Sequence, residues 1–203
     1  MESERDTVRL RELIDCSMPS VKPFVALCLL DDPPLHRRVA ELYVQTRFPY
    51  SDTLGAIPAR KPSEKIRVGY YSADFRNHAI AYLIVEMLEK HDKDAFEIYA
   101  FNLNPGQSDA MSVRLFSAVN QVVHLAGYKD GSAAQLSRDI GIEIAVDLGG
   151  HTADARTGIF SHRCAPVQVN YLGFPGTLGA RYYDYILADR HAIPPDQRLH
   201  YTE

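Results

Sequence analysis

Three short polar stretches of this sequence carry side chains that could do chemistry. Loop 1 (residues 74–78) holds Asp74, Asn77 and His78, and loop 2 (residues 147–152) and loop 3 (residues 173–177) are rich in glycine. Histidine has a reference pKa of about 6.5, so it can act as a base or as a hydrogen-bond donor near neutrality. A nearby carboxylate can accept a proton or orient that donor. Loop 1 therefore predicts proton-transfer or ligand-binding chemistry, with His78 and Asp74 as candidate catalytic residues.

Loop 1 also has a purely structural interpretation. Asn and Asp are preferred helix N-caps, so Asp74 and Asn77 could cap a helix that begins at Ala79. We favour capping for Asn77, which is nevertheless kept as a candidate binding residue. For His78 we favour function, because it opens a helix N-terminus, where anions bind.

Loop 2 reads DLGGHT and places two glycines where the backbone can approach a ligand closely. Asp147 is predicted either to bind a polar ligand or to cap the next element. His151 is either a functional side chain or an exposed residue of a tight turn. Gly150 and Thr152 complete the predicted binding residues of this loop.

Loop 3 lies in the stretch LGFPGT, where Gly173 and Gly176 bracket Phe174 and Pro175. It is either a rigid turn or a pocket wall. A pocket wall would offer backbone amides and an apolar face, which suits a sugar ring or an acetamido methyl group. Thr177 ends the stretch and is included among the candidate binding residues.

Alternating strand-like and helix-like segments surround the three loops. The pattern predicts strands over residues 66–72, 96–103, 121–125, 142–148, 167–172 and 184–188. It predicts helices over residues 79–90, 109–119, 132–140 and 157–161. Such alternation is typical of an α/β fold with a mostly parallel, Rossmann-like sheet and helices on both faces. Because parallel strands end at one edge, the three loops should line one crevice.

The first sixty residues have a different, helical pattern. Residues 6–16 fit an amphipathic helix, residues 24–30 are apolar, and Asp31-Asp32-Pro33-Pro34 is typical of a helix start. Residues 54–64 read as a linker. We therefore predict a helical segment over residues 1–60 and an α/β domain over residues 61–203.

Composition narrows the class of protein. The net charge of −4 and the absence of a basic tract argue against nucleic acid as a partner. No apolar run is long enough to span a membrane. The three cysteines form no C-x-x-C, which favours a reducing cytoplasm over a disulfide framework or a zinc site. Dinucleotide and P-loop fingerprints are absent, and no cluster of side chains in the sequence requires a metal, so we expect no cofactor and no metal.

Long stretches of the chain resemble the O-linked N-acetylglucosamine transferase family, the protein-modifying glycosyltransferases that carry tetratricopeptide repeats upstream. The stretches are IRVGYYSADFRNHAIAYL, IEIAVDLGGHTADARTGIFSHRCAPVQVNYLGFPGT and DYILAD. They cover most of residues 65–189. The earlier stretch PSVKPFVALCLLDDPPLHRRVAELY is similar to the helical junction between the repeats and the catalytic region.

The resemblance implies an inverting transferase with two Rossmann-like lobes, the GT-B architecture. Its donor would be UDP-N-acetylglucosamine, and its acceptor a Ser or Thr hydroxyl on a protein. The chain matches the N-terminal catalytic lobe, so a C-terminal lobe would supply most uridine and diphosphate contacts, and this chain alone would be inactive. Another UDP-sugar, a non-protein acceptor, or a non-catalytic binding module of the same fold are the alternatives.

The resemblance also implies roles for individual residues. Asp74, Asn77 and His78 match the family's Asp-Phe-x-x-His motif beside the reacting sugar, with His78 at the reaction centre and Asp74 in a proton relay. The loop against the N-acetyl side is matched by Leu172, Gly173, Phe174 and Pro175. Two positions depart from the family. Ala79-Ile80 replaces a frequent Pro-Thr, and Phe24 stands where animal members have a histidine.

Overall fold

The computed structural model describes Val8 and residues 11–14, 21–59, 64–104, 106 and 108–203. Six strands run through the α/β part: β1 (Ile66–Ser72), β2 (Phe96–Asn102), β3 (Gln121–His124), β4 (Ile144–Asp147), β5 (Val167–Tyr171) and β6 (Tyr185–Leu187). They form one sheet in the order β3-β2-β1-β4-β5-β6, and all neighbours are parallel. The predicted parallel α/β sheet is confirmed.

In the described part of the chain, six α-helices with defined bounds and one 3₁₀ helix accompany the sheet. They are α1 (Pro23–Leu29), α2 (Pro33–Arg47), α3 (Ala79–Glu89), α4 (Ala110–Ala118), α5 (Asp130–Ile140), α6 (Thr157–Ser161) and the 3₁₀ helix Pro195–His200. Val8 and residues 11–14 are helical as well, and the rest of the helix predicted over residues 6–16 lies outside the described residues.

Two helix boundaries follow from local chemistry. The Asp32 carboxylate caps α2 by accepting a hydrogen bond of 3.1 Å from the Leu35 amide, and prolines occupy the first turn, as predicted. Gly141 ends α5 with a φ of +85°, a backbone conformation that favours glycine. The Ile142 amide donates to the Ser137 carbonyl at 3.1 Å and so closes α5. For this reason β4 begins at Ile144, two residues later than predicted.

Helices cover both faces of the sheet. On one face, Ile84 and Leu88 of α3 pack with Leu115 of α4. On the other, Ala133 of α5 and Phe160 of α6 belong to the second core cluster. The apolar side chains of these helices pack against apolar side chains of the strands, which removes apolar surface from water on both faces of the sheet. The predicted arrangement of helices on both faces is confirmed.

The N-terminal helices rest on the α/β part. Backbone of α2 at Ala40 and Glu41 approaches Gly179 so closely that a side chain there would overlap it. The Tyr182 hydroxyl donates to the Phe48 carbonyl at 3.0 Å, just after α2. The predicted division at residues 60 and 61 stays a prediction, since residues 60–63 lie outside the described part of the chain.

The order of the strands reverses between β1 and β4. In the sheet, β2 and β3 lie on one side of β1, and β4, β5 and β6 lie on its other side. Ligands of open parallel sheets bind at such a point, beyond the carboxyl ends of the strands. Loops 1, 2 and 3 follow β1, β4 and β5 at that edge.

No helix among the described residues combines the length and the apolar composition that a bilayer crossing requires.

Candidate functional site

Loop 1 brings the two predicted catalytic residues together. One carboxylate oxygen of Asp74 lies 3.1 Å from the Arg76 guanidinium, and the other lies 3.8 Å from Nδ1 of His78. The Asp74 side chain is 16% exposed and the His78 side chain 40% exposed. At the carboxyl edge of the sheet, the His78 side chain is therefore partly exposed and the Asp74 side chain is largely covered, with a small part reaching solvent.

His78 is the N-cap of α3. Its Nδ1 accepts a hydrogen bond from the Ile80 amide at 3.3 Å. Because an amide only donates, Nδ1 must carry a lone pair, and the neutral ring then holds its proton on Nε2. In this arrangement His78 offers an Nε2–H donor at a helix N-terminus, which suits an anionic or oxygen-rich ligand.

The predicted capping role of Asn77 is wrong. The Asn77 side chain is exposed, and the backbone amide of Asn77 donates to Oδ2 of Asp109 at 2.6 Å. Asp109 also caps α4, since its carboxylate accepts from the Ser112 amide at 2.8 Å in a capping box. These amide hydrogen bonds, from Ser112 first and then Asn77, hold the pKa of Asp109 below its usual value.

Asp109 is thus a residue that the sequence analysis missed. It ties loop 1 to the start of α4 on the next β-α unit. The spacing of Asp109 and Ser112 at the head of a helical pattern is a capping signal that could have revealed half of this role. The bond to Asn77 spans 32 positions and carries no sequence signal.

Loop 2 is organised by Asp147, whose side chain is buried. One oxygen accepts hydrogen bonds from the amides of Gly149 at 2.9 Å and Gly150 at 3.0 Å. The other accepts from the Tyr183 hydroxyl at 2.5 Å. Burial raises the pKa of Asp147, while these three bonds oppose the shift. The predicted role as a cap of the next element is wrong, because the carboxylate accepts hydrogen bonds from amides of loop 2 itself and Arg156 is the N-cap of α6.

Direct ligand binding by the Asp147 side chain is not supported. The residue is 1% exposed, and both of its oxygens are occupied by groups of the protein. Its partner Tyr183 is another residue that sequence reasoning missed. Tyr182, Tyr183 and Tyr185 form one cluster in the sequence, yet the first two are buried and Tyr185 is 60% exposed.

His151 is buried as well, so the prediction of an exposed turn residue is wrong. Its Nε2 lies 2.9 Å from the Leu178 carbonyl oxygen, and its Nδ1 has no hydrogen-bond partner among the described residues. Burial lowers the pKa of His151 to about 4. Its neighbour Thr152 is half-buried, and the Thr152 hydroxyl donates to the Gly149 carbonyl at 2.8 Å.

Loop 3 is pressed against loop 2. Leu172, just before the loop, has a φ of +77°, which is strained for a residue with a side chain. A Cβ atom on Gly173 would overlap the Leu148 carbonyl oxygen. A Cβ on Gly150 would lie 2.7 Å from Cβ of Phe174, again too close. The two glycines permit this approach of the two loops.

The side chains of loop 3 point partly inward. Phe174 is 2% exposed, so its ring is not the predicted pocket wall. Thr177 is 4% exposed and donates to the Glu203 carboxylate at 2.9 Å. Gly176 is buried beside the Phe174 ring, where a Cβ would lie 2.9 Å from Cζ. Pro175 remains exposed.

The predicted site residues therefore fall into two groups. The accessible or half-accessible ones could meet a ligand: Asp74, Asn77, His78, Thr152, Leu172, Gly173 and Pro175. The buried ones support the loops from behind: Asp147, Gly150, His151, Phe174, Gly176 and Thr177. Loop 1 joins the others through a shared core cluster that includes Phe75, Leu148 and Leu172.

Within the described part of the chain, no group of three or more His, Cys, Asp and Glu side chains is arranged to hold a metal ion. The expectation that no metal takes part stays a prediction.

Comparison with known proteins decides the family. The model of glycosyl transferase family 41 matches residues 40–203. This chain belongs to glycosyl transferase family 41. The match includes all three loops and the second half of α2, so it covers every candidate site residue named above.

Relatives of this family 41 chain come from plants and animals. It is 28% identical over its whole length to the probable UDP-N-acetylglucosamine–peptide N-acetylglucosaminyltransferase SEC of Arabidopsis thaliana, and covers 22% of that protein. It is 33% identical over 132 residues to the UDP-N-acetylglucosamine–peptide N-acetylglucosaminyltransferase of Caenorhabditis elegans. That alignment covers 64% of this chain and 12% of the relative.

A solved structure has the same fold. A mutant of the Thermobaculum terrenum O-GlcNAc transferase superposes with a TM-score of 0.77 and 34% identity. The superposition covers 86% of this family 41 chain and 34% of the other chain. The fold is therefore that of one Rossmann-like lobe of a GT-B glycosyltransferase, with a helical N-terminal part. The chain spans about a third or less of the length of these relatives.

Proposed function

We propose that this chain is part of an inverting glycosyltransferase that moves N-acetylglucosamine from UDP-N-acetylglucosamine to Ser and Thr hydroxyls of proteins. The observation that carries the proposal is the pair Asp74 and His78, both partly exposed at the switch point of a family 41 lobe. The names of the relatives, which specify a UDP-N-acetylglucosamine donor and a peptide acceptor, support it.

Inversion requires in-line attack of the acceptor hydroxyl on the anomeric carbon, with loss of one proton. A positioned base contributes about a hundred- to ten-thousand-fold to such a step. In this proposal the Nε2–H of His78 donates to an oxygen of the donor at the reaction centre. The Asp74 carboxylate receives the proton of the acceptor in a relay, and Arg76 keeps that carboxylate in place.

Loop 3 faces the N-acetyl side of the sugar in this proposal. The half-exposed residues Leu172 and Gly173 supply backbone polar groups, and the exposed Pro175 supplies an apolar contact. Thr152 and Asn77 lie on the neighbouring loops and complete the polar lining. The buried residues of loops 2 and 3 act by holding this surface in one conformation.

The departing UDP carries negative charge and needs cationic groups or a helix dipole to stabilise it. We propose that a C-terminal lobe supplies most of these contacts, that no metal or other cofactor is used, and that the chain without that lobe is inactive. A cytoplasmic location also stays part of the proposal, on the number and spacing of the cysteines.

Calorimetric titration tests the proposal. UDP and UDP-N-acetylglucosamine are titrated into this chain and into a form extended through the following lobe. We expect tight binding to the extended form only. His78→Ala should weaken UDP-N-acetylglucosamine binding about tenfold or more and leave UDP binding nearly unchanged, because the imidazole contacts the sugar side.

Transfer is measured in parallel, by mass spectrometry of a protein acceptor carrying Ser and Thr. The matched control is His124→Ala, which removes an exposed histidine from β3 at the far edge of the sheet. Absence of UDP-sugar binding to both forms would contradict the proposal. Transfer by the 203-residue chain alone would contradict the split donor site.

A further inference from the structure

A row of aromatic rings connects the N-terminal helices to the loops of the site. The Tyr43 ring on α2 meets the His151 imidazole edge-on, with centroids 5.2 Å apart and an interplanar angle of 82°. The imidazole in turn meets the Phe174 ring at 5.3 Å. Phe174 also contacts Phe24 of α1, at 6.3 Å. Two rings of the helical segment thus bracket the buried rings of loops 2 and 3.

His151 is fixed in one orientation and one tautomer. A carbonyl oxygen only accepts, so the contact of 2.9 Å between Nε2 and the Leu178 oxygen requires the proton on Nε2. Nδ1 is then an acceptor, and it is buried without a partner among the described residues. An unpaired buried acceptor costs free energy. The imidazole therefore stabilises this region through its Nε2–H hydrogen bond and its two ring contacts.

Loop 3 needs external support because its backbone is strained. Leu172 has a φ of +77°, and such conformations persist only where the surroundings fix them. The Phe174 ring fills the space that Gly150 and Gly176 leave open. His151 packs on that ring and, through the Leu178 carbonyl, holds the chain that leaves loop 3. His151 therefore connects the ring of loop 3 to the Tyr43 ring of α2.

We infer that His151 is a positioning residue, and that Tyr43 on α2 acts through it to set the conformation of loop 3 and thereby the affinity for the donor sugar. His151 contacts no substrate in this role. The effect on the sugar rests on the proposed function, whereas the effect on loop 3 does not. Because Tyr43 belongs to α2, the N-terminal helical segment then contributes to the sugar site.

Hydrogen exchange of the full-length protein tests the structural half. We expect Tyr43→Ala and His151→Phe to speed exchange of the amides of residues 173, 174, 176 and 177 about tenfold, because local opening becomes easier. Tyr43→Phe keeps the ring and should restore the wild-type rate. Tyr128→Ala, which removes a tyrosine ring that is 45% exposed, is the matched control. Unchanged exchange in Tyr43→Ala would overturn the inference.

Titration of the same variants tests the effect on the donor. Tyr43→Ala and His151→Phe should weaken UDP-N-acetylglucosamine about tenfold while UDP binds as in the wild type, a pattern that general destabilisation would not give. Equal loss of both ligands, or no loss, overturns the role at the sugar. If the wild type binds no UDP-N-acetylglucosamine, the proposed function fails, and the exchange rates alone decide whether Tyr43 controls loop 3.

Discussion

The Tyr183 hydroxyl donates a hydrogen bond of 2.5 Å to the buried carboxylate of Asp147, across 36 positions of the chain. The same carboxylate accepts hydrogen bonds from the backbone amides of Gly149 and Gly150 in loop 2. A carboxylate that accepts three protein hydrogen bonds and is 1% exposed holds the turn together from inside. The Asp147–Tyr183 pair therefore fixes loop 2 to the segment between β5 and β6.

Two replacements of Asp147 distinguish the contribution of its hydrogen bonds to stability from that of its negative charge. Asp147→Ala leaves a buried hydroxyl and two amides without their acceptor, so we expect a loss of about 3 kcal/mol in the free energy of unfolding. Asp147→Asn can still accept both amides and can donate to the Tyr183 oxygen. We expect it to stay within about 1 kcal/mol of the wild type. Urea denaturation measures both, and equal losses would contradict the assignment.

Acidification should destabilise the protein through His151. Its folded-state pKa of about 4 lies below the ordinary 6.5 because the ring is buried. Between these two values the unfolded state binds a proton that the folded state does not, so stability falls as the pH falls. The shift corresponds to at most about 3 kcal/mol. This contribution to the free energy of unfolding is fully lost only at pH values below the folded-state pKa.

Urea denaturation across that pH range measures the effect. His151→Phe should lose less stability on acidification than the wild type, since the titrating group is gone. His124→Phe, which replaces an exposed histidine on β3, is the matched control. An imidazole signal of His151 that titrates near 6.5 in NMR spectra would refute the burial argument.

Gly173 should tolerate no side chain. A Cβ atom there would overlap the Leu148 carbonyl oxygen, which is backbone and has little freedom to move. We expect Gly173→Ala to cost about 3 kcal/mol, measured by thermal or urea unfolding. At Gly106 no atom of the described residues would lie within 4 Å of an added Cβ, so Gly106→Ala is the matched control and should be near neutral. A stable Gly173→Ala would show that loops 2 and 3 can separate.

Two variants of His78 distinguish its capping role from its proposed role in transfer. His78→Ala removes the acceptor of the Ile80 amide and should destabilise the protein by about 1 kcal/mol. Asparagine is a good N-cap, so His78→Asn should recover that stability. Neither variant should recover glycosyl transfer in the extended protein. Glycosyl transfer by His78→Asn at the wild-type rate would show that His78 serves only as a helix cap.

Much of the fold was predictable because its signals are local. The apolar run of β1 and the helical spacing of α3 are carried by neighbouring residues, so β1 was predicted with its observed bounds. The start of α2 followed from Asp32 and the prolines after it. The place of the three loops at one edge followed from the parallel order of the strands. Family resemblance supplied the candidate chemistry of Asp74 and His78.

Which loop residues face outward was not predictable in the same way. Asp147 and His151 look like ligand-binding residues in the sequence, and both are buried in the structure. Asn77 looks like a cap, but His78 takes that position because its ring nitrogen reaches the Ile80 amide. Each outcome depends on a neighbour whose position the local pattern does not contain.

The sequence by itself determined the strands, the helices, the parallel α/β class and the three polar loops, because hydrophobic period and capping chemistry act over a few residues. Only the tertiary structure decided that Tyr183 and Tyr43 close over loop 2, and that the Phe174 ring turns inward between Gly150 and His151. Burial is a property of the packed molecule. The fate of a polar side chain is set by residues that come near it only when the helices dock on the sheet.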